Sequence, residues 1–153
     1  MGRYYYTSTG REGKFMFGVQ PSDDPEYMGM REDNQEIHYY ADNNNKEAIE
    51  KKLDEQYELL GVPKKDRLYF YDERKEYDDY EDKVLKDKVW IKIKDDSEEA
   101  KAYKNKVGWY CEDKGYTYYE RDNNAIILAR IRLGTTILSD INENGYCSLD
   151  AEL

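Results

Sequence analysis

Tyrosine is the feature that most limits what this chain can become. Leu, Ile, Val and Phe together make only 27 of 153 residues, under the roughly 20% below which a highly charged chain stays disordered. Seventeen Tyr and two Trp restore the balance, because each carries a large apolar ring with a polar tip that needs a partner when buried. A chain of this length can hide about 70% of the surface its extended form exposes. One folded, tyrosine-buttressed domain spanning residues 1–153 is therefore expected.

Charge narrows the function. Twenty-four basic against 34 acidic side chains leave a net charge of -10 and a pI near 4.7. Such a chain matches nucleic acid phosphates poorly, and one His with two Cys cannot assemble the usual zinc sites. No cofactor is expected, since there is neither a Gly-rich loop leading into Lys-Ser or Lys-Thr nor a Gly-x-Gly-x-x-Gly after a strand. No run approaches the ~18 apolar residues of a membrane span, and the start MGRYYYTSTGREGK lacks the apolar core of a signal peptide. Met1-Gly2 does not begin a myristoylation signal, because Tyr6 stands where Ser or Thr is required. A soluble, cytoplasmic protein follows, with neither nucleic acid nor membrane as partner and with Cys111 and Cys147 as free, partly buried thiols. No pattern speaks to oligomeric state.

Periodicity supplies the elements. Phe15, Phe17 and Val19 alternate with Met16, Gly18 and Gln20, predicting a first strand over 14–20. Pro21, Pro25 and the Ser and Asp between them predict a loop to Arg31. Ile37, Tyr39 and Ala41 alternate with Glu36, His38 and Tyr40 in a second strand. Asn44 and Glu47 are spaced like a capping box, and Ile49, Leu53, Tyr57 and Leu60 form one helical stripe that Gly61 and Pro63 end. Leu68, Phe70 and Tyr71 suggest a short strand, 72–83 a solvated segment, and 89–94 another strand. Ser97, Glu98 and Glu99 start a helix carrying Ala100, Tyr103, Val107 and Cys111 to Gly115. Residues 116–120 read as extended. The segment from Ala125 to about Asn142 reads as a helix with Ile126, Ile127, Ile131, Ile137, Leu138 and Ile141 in one arc and Arg132, Thr135 and Ser139 opposite. Its alternative is a strand, whose parity fails after Gly134. Cys147, Leu149 and Ala151 alternate in a last strand. The junction Tyr39-Tyr40-Ala41-Asp42-Asn43-Asn44 recurs as Tyr118-Tyr119-Glu120-Arg121-Asp122-Asn123-Asn124, each leading from strand to helix. The whole predicts an α+β fold, an antiparallel or mixed sheet of about five strands with three helices packed mainly on one face.

Two polar groupings could carry function. Gln20, Ser22, Asp23 and Asp24 leave the first strand, while His38 and Tyr40 share a face of the second. If these strands pair, an imidazole and carboxylates would converge, making His38, Asp23 and Asp24 catalytic candidates and Gln20, Ser22 and Tyr40 binding candidates. The plainer reading is a self-capping turn and a solvated histidine. The second grouping is the run Asp72, Glu73, Glu76, Asp78, Asp79, Glu81 and Asp82, interleaved with Tyr71, Tyr77 and Tyr80. Spaced carboxylates among rings could occupy a basic surface, with Asp78, Asp79, Tyr77 and Tyr80 at its centre; the run lacks the Gly and alternating ligands of a calcium loop. Arg130 falls inside the apolar arc, so it must snorkel or meet a carboxylate, for which Glu152 is the candidate.

Gly2-Arg3-Tyr4-Tyr5, Glu12-Gly13-Lys14-Phe15, Phe17-Gly18-Val19-Gln20, Ser22-Asp23-Asp24 and the closing Gly145 to Leu153 resemble small uncharacterised proteins encoded by large DNA viruses of algae and amoebae. The likeness breaks after Asp24, at Pro25 and Met28. It implies host cytoplasm or a virion as the setting and brings no activity. Together these readings point to a viral accessory protein that binds a basic surface of a protein partner through a Tyr-rich, carboxylate-rich face. The rivals are a small enzyme or ligand-binding domain around Gln20, Asp23, Asp24 and His38, and a structural component of the virion.

Overall fold

The first hairpin arises where the tyrosine run meets a glycine-spaced segment. The computed structural model describes residues 3–15, 20–33, 37–103, 108–113, 115–121 and 124–151, with the backbone path alone for 108–113. Arg3–Thr7 (β1) and Glu12–Phe15 (β2) pair antiparallel, Tyr4 opposite Lys14 and Tyr6 opposite Glu12, so Tyr5 and Phe15 point inward and Tyr4 and Tyr6 outward. Gly13 is required on steric grounds. A Cβ there would lie 2.6 Å from Tyr5 Cε2 and closer still to Cζ and Oη.

The rest of the main sheet is assembled from distant segments. Asp24–Tyr27 forms one turn of helix (α1), with Pro25 in its first turn, where its missing N–H costs nothing. Arg31–Glu32 (β3) pairs with His38–Asp42 (β4), and Tyr146–Ala151 (β8) lies between β1 and β4. The order is β2-β1-β8-β4-β3, antiparallel throughout. The pairing of the first and second strands on which a convergence of His38 with the acids depended does not form, because the last strand, with Cys147, Leu149 and Ala151 directed into the core, takes the position beside β4. Of the predicted first strand, residues 16–19 lie outside the described residues. The predicted loop to Arg31 contains α1 and β3 instead.

Helices fill the inner face. Lys46–Leu59 (α2) buries Ile49, Leu53 and Tyr57, as its stripe predicts, and Leu60 follows as its buried C-cap. Gly61 then turns the chain at φ +72°. Asn45, not Asn44, stands at its N-cap, and its Oδ1 accepts from the Asp42 amide at 3.1 Å. Asn124–Asn144 (α6) is the predicted helix, longer by one residue at its start and two at its end, and Gly145 ends it at φ +83°. Gly134 lets α2 approach closely: a Cβ there would sit 2.8 Å from Met28 Cε and 3.3 Å from Leu53 Cδ1. The expected polar side of α6 is buried as well. Thr135, Thr136, Ser139 and Asp140 are all inside, and the hydroxyls of Thr135, Thr136 and Ser139 donate to the carbonyls of Ile131, Arg132 and Thr135.

What covers that side is Tyr71, from the predicted short strand, followed by the segment predicted to be solvated. Residues 68–71 run extended without joining a sheet, and the Tyr71 amide donates to Ser139 Oγ at 2.8 Å. Arg74–Tyr80 (α3) then turns Tyr77 fully into the core, and one π-helical turn, Glu81–Leu85, leads to Lys86–Val89 (α4). Trp90–Lys94 (β5), Gly108–Asp113 (β6) and Tyr116–Glu120 (β7) make a second antiparallel sheet, in the order β5-β7-β6. Ser97 caps Glu98–Ala102 (α5), its Oγ accepting from Ala100 N at 3.0 Å. That helix ends 13 residues before the predicted stop at Gly115, and 108–113 is a strand instead, Gly108 and Trp109 pairing with Tyr119 and Tyr118 and Asp113 with Tyr116 of β7. The fold class is α+β, as expected, and no described helix is long and apolar enough to cross a membrane.

Candidate functional site

The cluster around the first loop is closed on itself. Gln20 and Asp24 are both 1% exposed. Gln20 Nε2 donates to Asp24 Oδ2 at 2.9 Å, and Arg130 Nε–H is shared between Oδ1 at 3.2 Å and Oδ2 at 3.1 Å. The Arg130 guanidinium also lies 4.2 Å from the centre of the Tyr27 ring. Arg3 adds a second clamp, donating to Ser22 Oγ at 2.7 Å and to the Gln20 carbonyl, while Tyr39 Oη donates to the Ser22 carbonyl at 3.3 Å. These bonds tie β1, the loop and α6 together. The Asp24 carboxylate is buried and engaged by both Arg130 and Gln20, the arrangement of a structural ion pair. The ion pair foreseen for Arg130 is present with a different partner, because α1 carries Asp24 across the side of α6; Glu152 lies outside the described residues.

His38 does not join this cluster. On β4 it points opposite to Tyr39, and its Nδ1 meets Asp150 Oδ1 on the neighbouring strand. Tyr39 reaches Ser22 on the inner side, so strand parity puts the imidazole and the Asp24 carboxylate on opposite faces of the sheet. Asp23 is exposed at the start of α1 and makes no side-chain cap. Burial first, and the Asp23 charge second, push the Tyr39 phenol above its usual range.

The outer face of the five-stranded sheet assembles what spacing alone could not. Tyr4 and Tyr6 of β1 stand with ring centres 6.4 Å apart. Tyr40 of β4 stacks on Tyr146 of β8 at 6.1 Å and 20°, with the Arg31 guanidinium 5.1 Å from the Tyr40 ring centre. Tyr4, Tyr6 and Tyr146 are each 39% exposed. One cross-strand row reads Glu12, Tyr6, Asp150, His38. Tyr40 was identifiable from its alternation. Tyr4 and Tyr6 were not, because three identical residues in a row show no period; only pairing with β2 reveals that Tyr5 turns in.

The acidic segment divides in the same way. Asp72, Glu73, Glu76, Asp78, Asp79 and Asp82 are exposed, but Tyr71 and Tyr77 are buried and Tyr80 is half-buried, so the rings expected between the acids belong to the core. Glu81 turns inward to Arg132 at 2.6 Å. Arg74 pairs with Asp78 and donates to the Glu12 carbonyl, which sets α3 beside the β2 edge of the tyrosine face.

A further charge cluster, centred on one buried carboxylate, has no counterpart in the sequence pattern. Arg11, in the first hairpin, donates to Asp140 Oδ1 at 2.6 Å and to Glu143 Oε2 at 2.7 Å, and Thr9 Oγ1 donates to the same Asp140 oxygen at 2.5 Å. Asp140 is fully buried. Burial, reinforced by the Asp140 charge, raises the Cys147 thiol well above its normal range. This group pins the hairpin to the end of α6. The side chain of Cys111 lies outside the described residues, and among those residues no cluster of His, Cys, Asp and Glu is arranged to hold a metal. No family model, curated protein or solved structure matches the chain.

Proposed function

We propose that the chain is a protein-binding module that docks a basic partner on the outer tyrosine face of its main sheet, with the carboxylates of α3 steering the approach. The observation that carries this reading is the asymmetry of the sheet. Its inner face is packed against α6, on which α2 rests in turn, whereas its outer face presents Tyr4, Tyr6 and Tyr146 to solvent beside the half-buried Tyr40. Tyrosine suits such a role because it offers a large rigid contact with a polar tip. Glu12, Asp42 and Asp150 share the face with Lys14 and Arg31, and Arg31 pairs with Asp42, so the face itself is nearly balanced and the sign that favours a basic partner comes from the acids of α3 beside it. The exposed acids of α3 extend that field along the β2 edge and should raise the rate of encounter more than the final affinity. An acid–base site gains no support, since Asp24 is held by Arg130 and His38 lies across the sheet. The resemblance to proteins of large DNA viruses makes an accessory role in the host cytoplasm the matching context.

The test compares capture and binding kinetics for wild type, the Tyr6→Ser/Tyr40→Ser/Tyr146→Ser variant, and the Asp72→Asn/Glu73→Gln/Asp78→Asn/Asp79→Asn variant. The tyrosine variant should lose the partner. The acid variant should associate several-fold more slowly, with a flatter salt dependence and an unchanged dissociation rate. A partner bound with equal affinity by wild type and the tyrosine variant would overturn the reading.

A further inference from the structure

A concave surface lies where the β2 edge meets α6 and the π-helical turn, bordering the tyrosine face at Lys14. A cleft of about 510 Å³ opens there, inside the roughly 300–1,000 Å³ typical of small-molecule sites. Its floor is apolar, made by Phe15, Trp90, Leu128 and Ala129. Its rim carries three cations, Lys14, Lys86 and Arg132. Concentrating cations over an apolar floor runs against the composition of a chain with net charge -10.

The rim charges are not equally committed. Arg132 is held by Glu81 at 2.6 Å, so these two charges offset each other. The Lys14 ammonium lies 6.0 Å from the Tyr4 ring centre and that of Lys86 5.7 Å from the Tyr118 ring centre, and neither forms an ion pair among the described residues. Asp82 is the other acid on the rim. The wall bearing Glu81 and Asp82 is the π turn, Glu81–Leu85. Such a widened turn gives up regular i to i+4 bonding and is found disproportionately at functional sites. Here it aims Glu81 at Arg132, leaving the two lysines as the open charges at the mouth.

We propose that this cleft binds a small amphipathic anion, its flat apolar body lying on Trp90, Leu128 and Ala129, with Phe15 buried beneath, and its anionic head between Lys14 and Lys86. Aryl carboxylates and sulfonates have this chemistry. A neutral ring system of the same size would gain the floor and lose the rim.

The probe is 8-anilinonaphthalene-1-sulfonate, and N-phenyl-1-naphthylamine is its neutral counterpart with the same rings. Fluorescence titration of the intact chain should show one sulfonate site. Lys14→Gln and Lys86→Gln should each weaken it about two- to fivefold, the range of a partly screened surface charge pair, while leaving the neutral probe unchanged. Ala129→Trp, which fills the floor, should abolish binding of both. Absence of sulfonate binding, or sulfonate binding indifferent to both lysine substitutions, would overturn the proposal. The lysine variants decide the matter even if Ala129→Trp does not fold, because both side chains lie at the cleft mouth and make no ion pair there.

Discussion

Replacing Arg130 with Met should be among the most damaging single changes outside the apolar core. The Asp24 carboxylate is 1% exposed and depends on Arg130 Nε and Gln20 Nε2 for its hydrogen bonds. Removing one partner of a fully buried ion pair costs about 3–5 kcal/mol, because the other charge stays behind unpaired. Two features lower that figure here. The Arg130 side chain is 21% exposed, so water can approach once it is gone, and the Gln20 amide remains. A loss of about 2–3 kcal/mol is therefore expected. With a urea m-value of about 2 kcal/mol/M, the midpoint should fall by about 1–1.5 M. Trp fluorescence and far-UV circular dichroism should give coincident transitions. Asp24→Asn should cost less, about 1 kcal/mol, since its amide oxygen still accepts and the Arg130 head can turn to water. The double variant should reveal a coupling of about 1–2 kcal/mol. A loss below about 0.5 kcal/mol for Arg130→Met, the size of an exposed pair, would refute the clamp.

Four other outcomes are expected. Burial pushes the Tyr5 phenol from 10.0 up to about 12 and that of Tyr77 well above its ordinary value. The folded state thus holds them neutral, and their contribution, complete below pH 10, is lost as pH rises through the folded values; absorbance at 295 nm should show these phenols ionising only with unfolding between about pH 10 and 12, and gradual titration of the whole set at pH 10 would contradict the burial. Gly13→Ala should cost about 2–3 kcal/mol by driving a methyl into the enclosed Tyr5 ring, and a near-neutral thermal melt would show that the hairpin can shift. In a Cys111→Ser background the Cys147 thiol, buried and raised well above its usual pKa, should resist aromatic disulfide reagents until denaturant is added; rapid labelling of the native protein would place it at the surface. Fluorescence anisotropy with duplex DNA or RNA at physiological salt should show no binding, and a salt-dependent complex would overturn the inference from net charge.

Local order was written in the sequence wherever one face of an element meets the core. Ile49, Leu53 and Tyr57 define α2, Cys147, Leu149 and Ala151 define β8, and Ser97 and Gly145 mark helix ends, because periodicity, capping and positive φ act within a few residues. Tyr40 of the tyrosine face was legible for the same reason. Tertiary structure alone decided the rest. β8 enters the sheet between β1 and β4, Asp24 meets Arg130 across 106 residues, and Asp140 meets Arg11 across 129. Thr135 and Ser139 fall opposite the apolar arc on a helical wheel but are buried, because the segment from Leu68 to Val89 folds over that side. Tyr77 turns inward among acids for the complementary reason. A chain so short of aliphatic side chains must close its core with whatever rings its packed segments bring, and which rings those are depends on contacts far apart in sequence, which no local period records.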